Sequence, residues 1–208
     1  MNKQIIRGTI LALLAGTCWG FSGTVGQYLF MTRNIDAGWL TVIRMVASGI
    51  ILLTFAGIQK KETLIVIWQK RETAIRLILF SLFGLMAVQF SYMQAIKYSN
   101  AGTATAIQYV GEALVLIVTC ITVKRLPKIP ELVGLFLALA GIFLLATHGN
   151  IGSMVLSVKG LLWGLGAAVS LMLYTLLPSK LIQQFGSRTV TGYGMFIGGV
   201  VLALLVRP

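Results

Sequence analysis

Seven apolar stretches, most of them about 17 to 23 residues long, run through this sequence with hardly a charged residue inside them. A helix needs about 20 apolar residues to cross a hydrocarbon core that is about 30 Å thick. Hydrophobic residues make up 57% of the chain and charged residues 11%, a balance that a soluble domain of 208 residues does not have. The sequence therefore predicts an all-α, polytopic membrane protein with seven transmembrane helices.

Flanking charges and turn-forming residues set the limits of the predicted helices. The predicted spans lie at about 8–30, 38–58, 75–96, 101–122, 132–147, 159–178 and 189–206. With the N-terminus in the cytoplasm, twelve Lys and Arg residues lie on the inner side and four on the outer side, and Arg44 within a span completes the total of 17. The four outer residues are Arg33, Lys97, Lys159 and Arg207. Because positive residues collect on the cytoplasmic side, this count predicts a multi-pass protein of the cell membrane with a cytoplasmic N-terminus.

The net charge of +12 comes from basic residues in short loops beside the helix ends, where anionic lipid headgroups attract them. The lipid bilayer, and not a nucleic acid, is therefore the predicted partner of this charge. The five acidic residues, one His and two Cys are scattered without metal-ligand spacing, a phosphate loop or a nucleophile paired with a base. The sequence predicts neither an enzyme nor a bound cofactor or metal.

The first two predicted helices resemble the sixth and seventh, which indicates an internal repeat. The matching positions are Gly8, Leu13 and Leu29 against Gly160, Leu165 and Leu181, and Met45, Gly49 and Leu52 against Met195, Gly199 and Leu202. A unit of five helices crosses the membrane an odd number of times, so its second copy enters from the opposite side. We therefore interpret residues 1–147 as a first five-helix repeat and residues 159–208 as the start of a second. The chain is then either shortened by three helices or a natural seven-helix protein.

Several segments share a pattern of small and aromatic residues. The first helix contains a run that ends in Trp19-Gly20, and the second contains an Arg-bearing, Ala-rich stretch at 43–49. The third and fourth helices carry the string Tyr92, Ala95, Ile96, Tyr98, Ala101, Gly102, Ala104, Ala106 and Gln108. In these segments the chain resembles the EamA family of the drug/metabolite transporter superfamily. The resemblance implies a metabolite carrier with ten helices in two inverted five-helix repeats, although Glu112 replaces the proline that this family commonly has in its fourth helix.

Two charged side chains, Arg44 and Glu112, lie within predicted spans and away from the span ends, where an ionised group costs about 2.5 to 3.5 kcal/mol at the bilayer centre. Glu112 is close to the midplane, so it can serve as the site of a cationic substrate or of a coupling proton, or it can join two helices. Arg44 lies near the outer end of the second helix, where it can snorkel outwards, pair with Glu112 or hold a substrate carboxylate. We favour substrate binding for Glu112 and a gating or structural role for Arg44.

A set of polar and aromatic side chains completes the predicted substrate site. Its members are Glu112, Tyr109, Gln108, Tyr92, Gln89, Trp19, Trp163 and Tyr174. Tyr92 and Gln89 are three residues apart, as are Tyr109 and Glu112, so each pair shares a helix face. Aromatic faces suit ammonium groups, but packing and hydrogen bonding between helices explain isolated Tyr, Gln and Trp residues equally well.

These features favour a secondary transporter that moves small polar organic metabolites, such as amines, amino acids or related compounds, across the plasma membrane by alternating access. Its expected partners are the small-molecule substrate, a coupling proton and, in a homodimer, a second copy of the chain. The alternative is an incomplete half-carrier that transports nothing and acts as a membrane scaffold or partner protein.

Overall fold

The computed structural model describes residues 3–147, Asn150 and 157–206. These residues form a bundle of helices with no strand among them. The helices are α1 (Lys3–Arg33), α2 (Ala37–Gln69), α3 (Arg71–Lys97), α4 (Ala101–Thr122), α5 (Ile129–Thr147), α6 (Val158–Leu176), α7 (Ser179–Phe185) and α8 (Ser187–Val206). Arg207, one of the four predicted outer charges, lies outside the described residues.

Most of these helices are membrane spans by length and composition. Within the described part of the chain, six helices, namely α1 to α4, α6 and α8, are long and apolar enough to cross a membrane. At the position of the fifth predicted span, α5 contributes a shorter apolar stretch, Ile129–Gly141. The prediction of an all-α, multi-pass membrane protein is therefore confirmed.

The second helix continues well past the predicted end of its span. It ends at Gln69, although the charged residues at 60–62 end its apolar part. Lys and Glu favour the helix about as strongly as most apolar residues do, so a charge can end a span without ending a helix. Apolar contacts hold the extension in place, because Ile67 is fully buried and the ring of Trp68 meets Tyr193 edge-on at 5.4 Å between centroids.

The most extensive helix–helix contact of the bundle joins α2 and α8, followed by that between α3 and α6. Gly49 keeps α2 close to α8, because a Cβ atom there would lie 2.6 Å from the backbone nitrogen of Phe196. On α8, Gly199 allows the same close approach, since a Cβ atom there would lie 2.9 Å from Cγ2 of Val46 on α2. Small residues let helix backbones approach in a membrane, where burial of apolar surface drives little association.

The bundle is packed in its centre and open at α5 and the first half of α1. One apolar cluster, around Met93, joins α3 to the end of α1, and a second, around Phe80, lies at the opposite end. Residues 5–21 of α1 are exposed throughout. At Gly134 and Gly141 of α5, an added Cβ would have no described atom within 4 Å. The packed part of the bundle therefore consists mainly of α2, α3, α4, α6 and α8.

Two helices depart from regular α geometry. In α3, a π-helical segment, Phe80–Met86, separates two α-helical parts. In α4, the α-helix is interrupted at Tyr109. The N–H of Glu112 donates to the carbonyl oxygen of Tyr109 at 3.0 Å, which is a tightened turn formed without a proline. The interruption thus lies beside the position at which the family resemblance leads us to expect a proline.

Candidate substrate site

Arg44 faces α3 from α2, about two turns after the start of its helix. The side chain is half-buried, and its Nη1 atom donates to the thioether sulfur of Met93 at 3.1 Å. Among the described residues, no carboxylate lies within ion-pair distance of this guanidinium. Because a thioether is a weak acceptor, the charge of Arg44 is left largely uncompensated inside the bundle.

Tyr92, on α3 beside Arg44, is 3% exposed. Its hydroxyl shares a hydrogen bond of 2.9 Å with Oγ1 of Thr105 on α4. The ring of Trp19 on α1 meets it edge-on, with 6.4 Å between centroids. Gly23 permits this approach of α1, because a Cβ atom there would lie 3.0 Å from the Tyr92 hydroxyl oxygen. Tyr92 therefore joins α1, α3 and α4 next to the Arg44 guanidinium.

Gln89 and Trp163 extend this group towards α8 and α6. Gln89 lies one turn before Met93 on α3, and its Nε2 atom is 4.0 Å from the sulfur of Met195 on α8. The ring of Trp163 meets Phe90 edge-on at 5.4 Å between centroids, and it packs against the apolar cluster around Met93. We call the resulting group the Arg44 cluster; its members are Trp19, Arg44, Gln89, Tyr92, Met93 and Trp163.

Asp36 lies at the same end of the bundle as Arg44. Its carboxylate caps α2 by accepting the N–H groups of Gly38 at 2.8 Å and Trp39 at 3.1 Å, and it pairs with Nζ of Lys97 at 3.3 Å. Desolvation raises the pKa of Asp36, but the hydrogen bonds from Trp39, Lys97 and Gly38 outweigh this effect and hold the pKa below its ordinary value. The loop before α2 is thereby tied to the end of α3.

Glu112 lies apart from the Arg44 cluster, in a groove between α4 and α5. Its side chain is exposed and forms no ion pair with any described residue. The pairing of Arg44 with Glu112, one of three interpretations of the sequence, is therefore not found, because Arg44 faces α3 and Glu112 faces α5. Tyr109 lines the same groove as Glu112, which agrees with the spacing of three residues between them.

Two further predicted residues, Gln108 and Tyr174, have other surroundings. Gln108 is 2% exposed, and its Nε2 atom donates no hydrogen bond within the described residues. Tyr174 stacks on Phe80 at 6.0 Å between centroids and belongs to the apolar cluster at the opposite end of the bundle. Tyr174 is therefore an aromatic packing residue in this structure and is not part of the Arg44 cluster.

Three residues of the site were missed from the sequence. Met93 gives no signal, because nothing in the surrounding sequence marks a thioether as the partner of an Arg. Thr105 lies within the string that carries the family resemblance, but the sequence does not show that its hydroxyl meets Tyr92. Gly23 belongs to a series of glycines that indicates only close helix packing. Each of these contacts depends on how neighbouring helices are rotated, which spacing along one helix does not determine.

Comparison with known proteins gives the family. A sequence model of the EamA-like transporter family matches residues 6–147. The chain belongs to the EamA-like transporter family. The resemblance found in the sequence is thereby confirmed.

Three relatives of this EamA-family chain are named as transporters. An uncharacterized inner membrane transporter, YicL, from Salmonella typhimurium is 34% identical over 196 residues, which cover 94% of this chain and 65% of that protein. An uncharacterized transporter, YyaM, from Bacillus subtilis is 25% identical over 88% of this chain and 57% of its own length. An uncharacterized transporter from Archaeoglobus fulgidus is 25% identical over 62% of this chain and 44% of its own length. The EamA-family chain thus spans less than two thirds of each relative, and no solved structure matches it.

Proposed function

We propose that this EamA-family chain belongs to a secondary transporter that moves small polar organic metabolites, amino acids and related compounds among them, across the cell membrane by alternating access. The family and the names of its relatives support transport. The observation that carries the proposal is the Arg44 guanidinium, half-buried within a membrane span and paired only with a thioether among the described residues.

Arg44 favours a metabolite with a carboxylate group. A charged side chain inside a span costs about 2.5 to 3.5 kcal/mol, and a substrate carboxylate that accepts two hydrogen bonds from the guanidinium offsets this cost. Tyr92 and Trp19 supply an aromatic wall next to the guanidinium, and the amide of Gln89 supplies a polar group one turn away. In this proposal Arg44 acts on the substrate directly, in addition to the gating or structural role favoured by the sequence.

Alternating access requires that the end of the bundle near Asp36 opens and closes. With the N-terminus in the cytoplasm, as the distribution of positive charge favours, this end faces outwards. Opening would separate the exposed ion pair between Asp36 and Lys97, which costs little because surface pairs contribute about 0 to 1 kcal/mol. Residues 1–147 and 159–208 would rock against each other as two inverted repeats, with a proton as the coupling ion.

The test is transport of labelled amino acids by membrane vesicles that contain the protein with Arg44→Met or Arg44→Lys. Charge-assisted hydrogen bonds contribute about 1.5 to 3 kcal/mol, so we expect Arg44→Met to weaken apparent substrate affinity about 10- to 150-fold. Arg44→Lys should recover only part of it, because Lys lacks the planar fork of Arg. Arg76→Met, which removes a partly exposed Arg from a surface pair with Glu72, is the matched control.

Unchanged transport in Arg44→Met, at equal amounts of protein in the membrane, would contradict the role of Arg44. Transport of none of the tested amino acids or amines by the unmutated protein would instead favour the scaffold alternative.

A further inference from the structure

We propose that the groove between α4 and α5 binds amphiphilic organic cations, that is, molecules with one ammonium group and an apolar body. This site is additional to the proposed function, and it does not depend on transport through the Arg44 cluster. Its volume is about 410 Å³, within the range of about 300 to 1,000 Å³ that small-molecule sites have. The groove is lined by Tyr109, Glu112, Val115, Leu116, Thr119, Arg125, Glu131, Leu135, Ala138 and Leu139.

Glu112 supplies the uncompensated negative charge of the groove. It lies near the middle of α4, a helix of 22 residues, and it forms no ion pair with any described residue. A carboxylate so far inside a span is costly unless a cation or a proton neutralises it. An ammonium group that binds there would gain a charge-assisted hydrogen bond and relieve this cost.

The second carboxylate of the groove is already neutralised. Glu131 accepts two hydrogen bonds from Arg125, at 2.8 Å from Nη1 and 2.7 Å from Nη2. It also accepts the backbone N–H of Lys128 at 2.8 Å. This paired arrangement satisfies Glu131 at the end of the groove, so a cationic ligand is directed to Glu112.

Tyr109 and the apolar walls determine what else the ligand must carry. Tyr109 lies one turn before Glu112, and the hydrogen bond between their backbones fixes the turn that connects them. An aromatic ring beside a carboxylate attracts an ammonium group through its π face. Beyond these residues the walls are aliphatic, formed by Val115, Leu116 and Leu135. They suit a hydrocarbon or aromatic body, which a strongly polar metabolite does not have.

On the side away from the groove, α4 packs tightly against α6. Gly111 precedes Glu112 and faces α6, where a Cβ atom would lie 2.5 Å from the carbonyl oxygen of Ala168. Gly164 makes the same contact from α6, since its Cβ would lie 2.7 Å from Cγ2 of Ile107. Because one face of α4 is fixed against α6, the adjacent face presents Glu112 towards α5 and the surrounding lipid.

The test is direct binding of dansylcadaverine, a fluorescent primary ammonium compound with an apolar body, to the full chain in phosphatidylcholine nanodiscs. Its fluorescence rises on entry into an apolar site, and its N-acetylated derivative is the uncharged comparison probe. We expect saturable binding of the cation and weak binding of the acetylated probe. Glu112→Gln should weaken binding of the cation about tenfold or more, because it removes the charge but keeps the shape.

Three control variants distinguish binding in the groove from binding elsewhere on the protein. Glu62→Gln removes an exposed carboxylate outside the groove and should leave binding unchanged. Ala138→Phe fills the groove without altering its charge and should weaken binding even where Glu112→Gln fails to fold. Arg76→Met removes a cation from a surface pair with Glu72, outside both the groove and the Arg44 cluster, and should bind the probe as the unmutated protein does. Equal binding by the unmutated protein, Glu112→Gln and Ala138→Phe would overturn the proposal, as would absence of saturable binding.

Discussion

The Arg44 cluster and the groove between α4 and α5 each hold one charged side chain well inside a membrane-spanning helix, but the surroundings of the two charges are opposite. Around Arg44, side chains from α3 and α4 are packed closely, and Tyr92 is 3% exposed. Around Glu112 one wall is α4, the other is the loosely packed α5, and the carboxylate is exposed. In the two proposals made above, the intramembrane charge marks the candidate site, and the packing around it determines which kind of molecule would bind.

The boundary between these two environments runs along α4. Gly111 on one face of α4 is in contact with α6, and Glu112 on the next face is in the open groove. The α5 side of the groove has room to spare, because an added Cβ at Gly134 would have no described atom within 4 Å. Neighbouring residues of one helix therefore differ in how far a substitution disturbs the fold.

The largest expected effect on stability is that of Gly111→Val. Its side chain would meet a backbone oxygen that cannot move without shifting α6, and overpacking of this kind costs about 1 to 3 kcal/mol. The matched variant Gly134→Val lies in the open part of α5 and should cost much less. Thermal unfolding of both variants in nanodiscs measures the difference. Equal losses at the two positions would mean that α5 is packed as closely as α6.

A smaller effect is expected at the hydrogen bond between Tyr92 and Thr105. Tyr92→Phe and Thr105→Val each remove one partner of this 2.9 Å bond, and the double variant removes both. Hydrogen bonds between membrane helices contribute about 0.6 kcal/mol on average, so we expect a coupling energy of about 0.5 to 1 kcal/mol in a double-mutant cycle. A coupling energy of zero would show that the two hydroxyls do not hold α3 and α4 together beside Arg44.

The smallest effect concerns pH and the carboxylate of Asp36. Because its hydrogen bonds lower the pKa of Asp36 in the folded protein, its contribution to stability is present above the unfolded value of about 3.9 and is lost as the pH falls through the lower folded value. We therefore expect the unfolding midpoint of the protein to fall slightly more between pH 6 and pH 3 than that of Asp36→Asn. Parallel curves would show that the end of the bundle above the Arg44 cluster does not depend on this charge.

The sequence predicts the helices of this protein better than it predicts their rotation. Length and hydropathy locate the spans, since a bilayer imposes a similar length on each of them. The spacing of three residues predicts that Tyr109 and Glu112 share a helix face, and both line the same groove. The pairing of Arg44 with Glu112 could not be judged in this way, because it joins different helices. Depth along the membrane normal can be read from a sequence, but the direction in which each helix faces is set by contacts such as that of Gly23 with Tyr92.

The π-helical segment of α3, Phe80–Met86, has a consequence for the way such a site can change. A π turn holds about one residue more than the α-helical turn that it replaces. In a helix of 3.6 residues per turn, one residue corresponds to a rotation of about 100°. The segment therefore sets the direction around the helix axis in which Gln89, Tyr92 and Met93 point, relative to the first part of α3. Insertion or loss of a single residue there turns all three side chains about the helix axis at once, a change that no replacement of an individual side chain can produce.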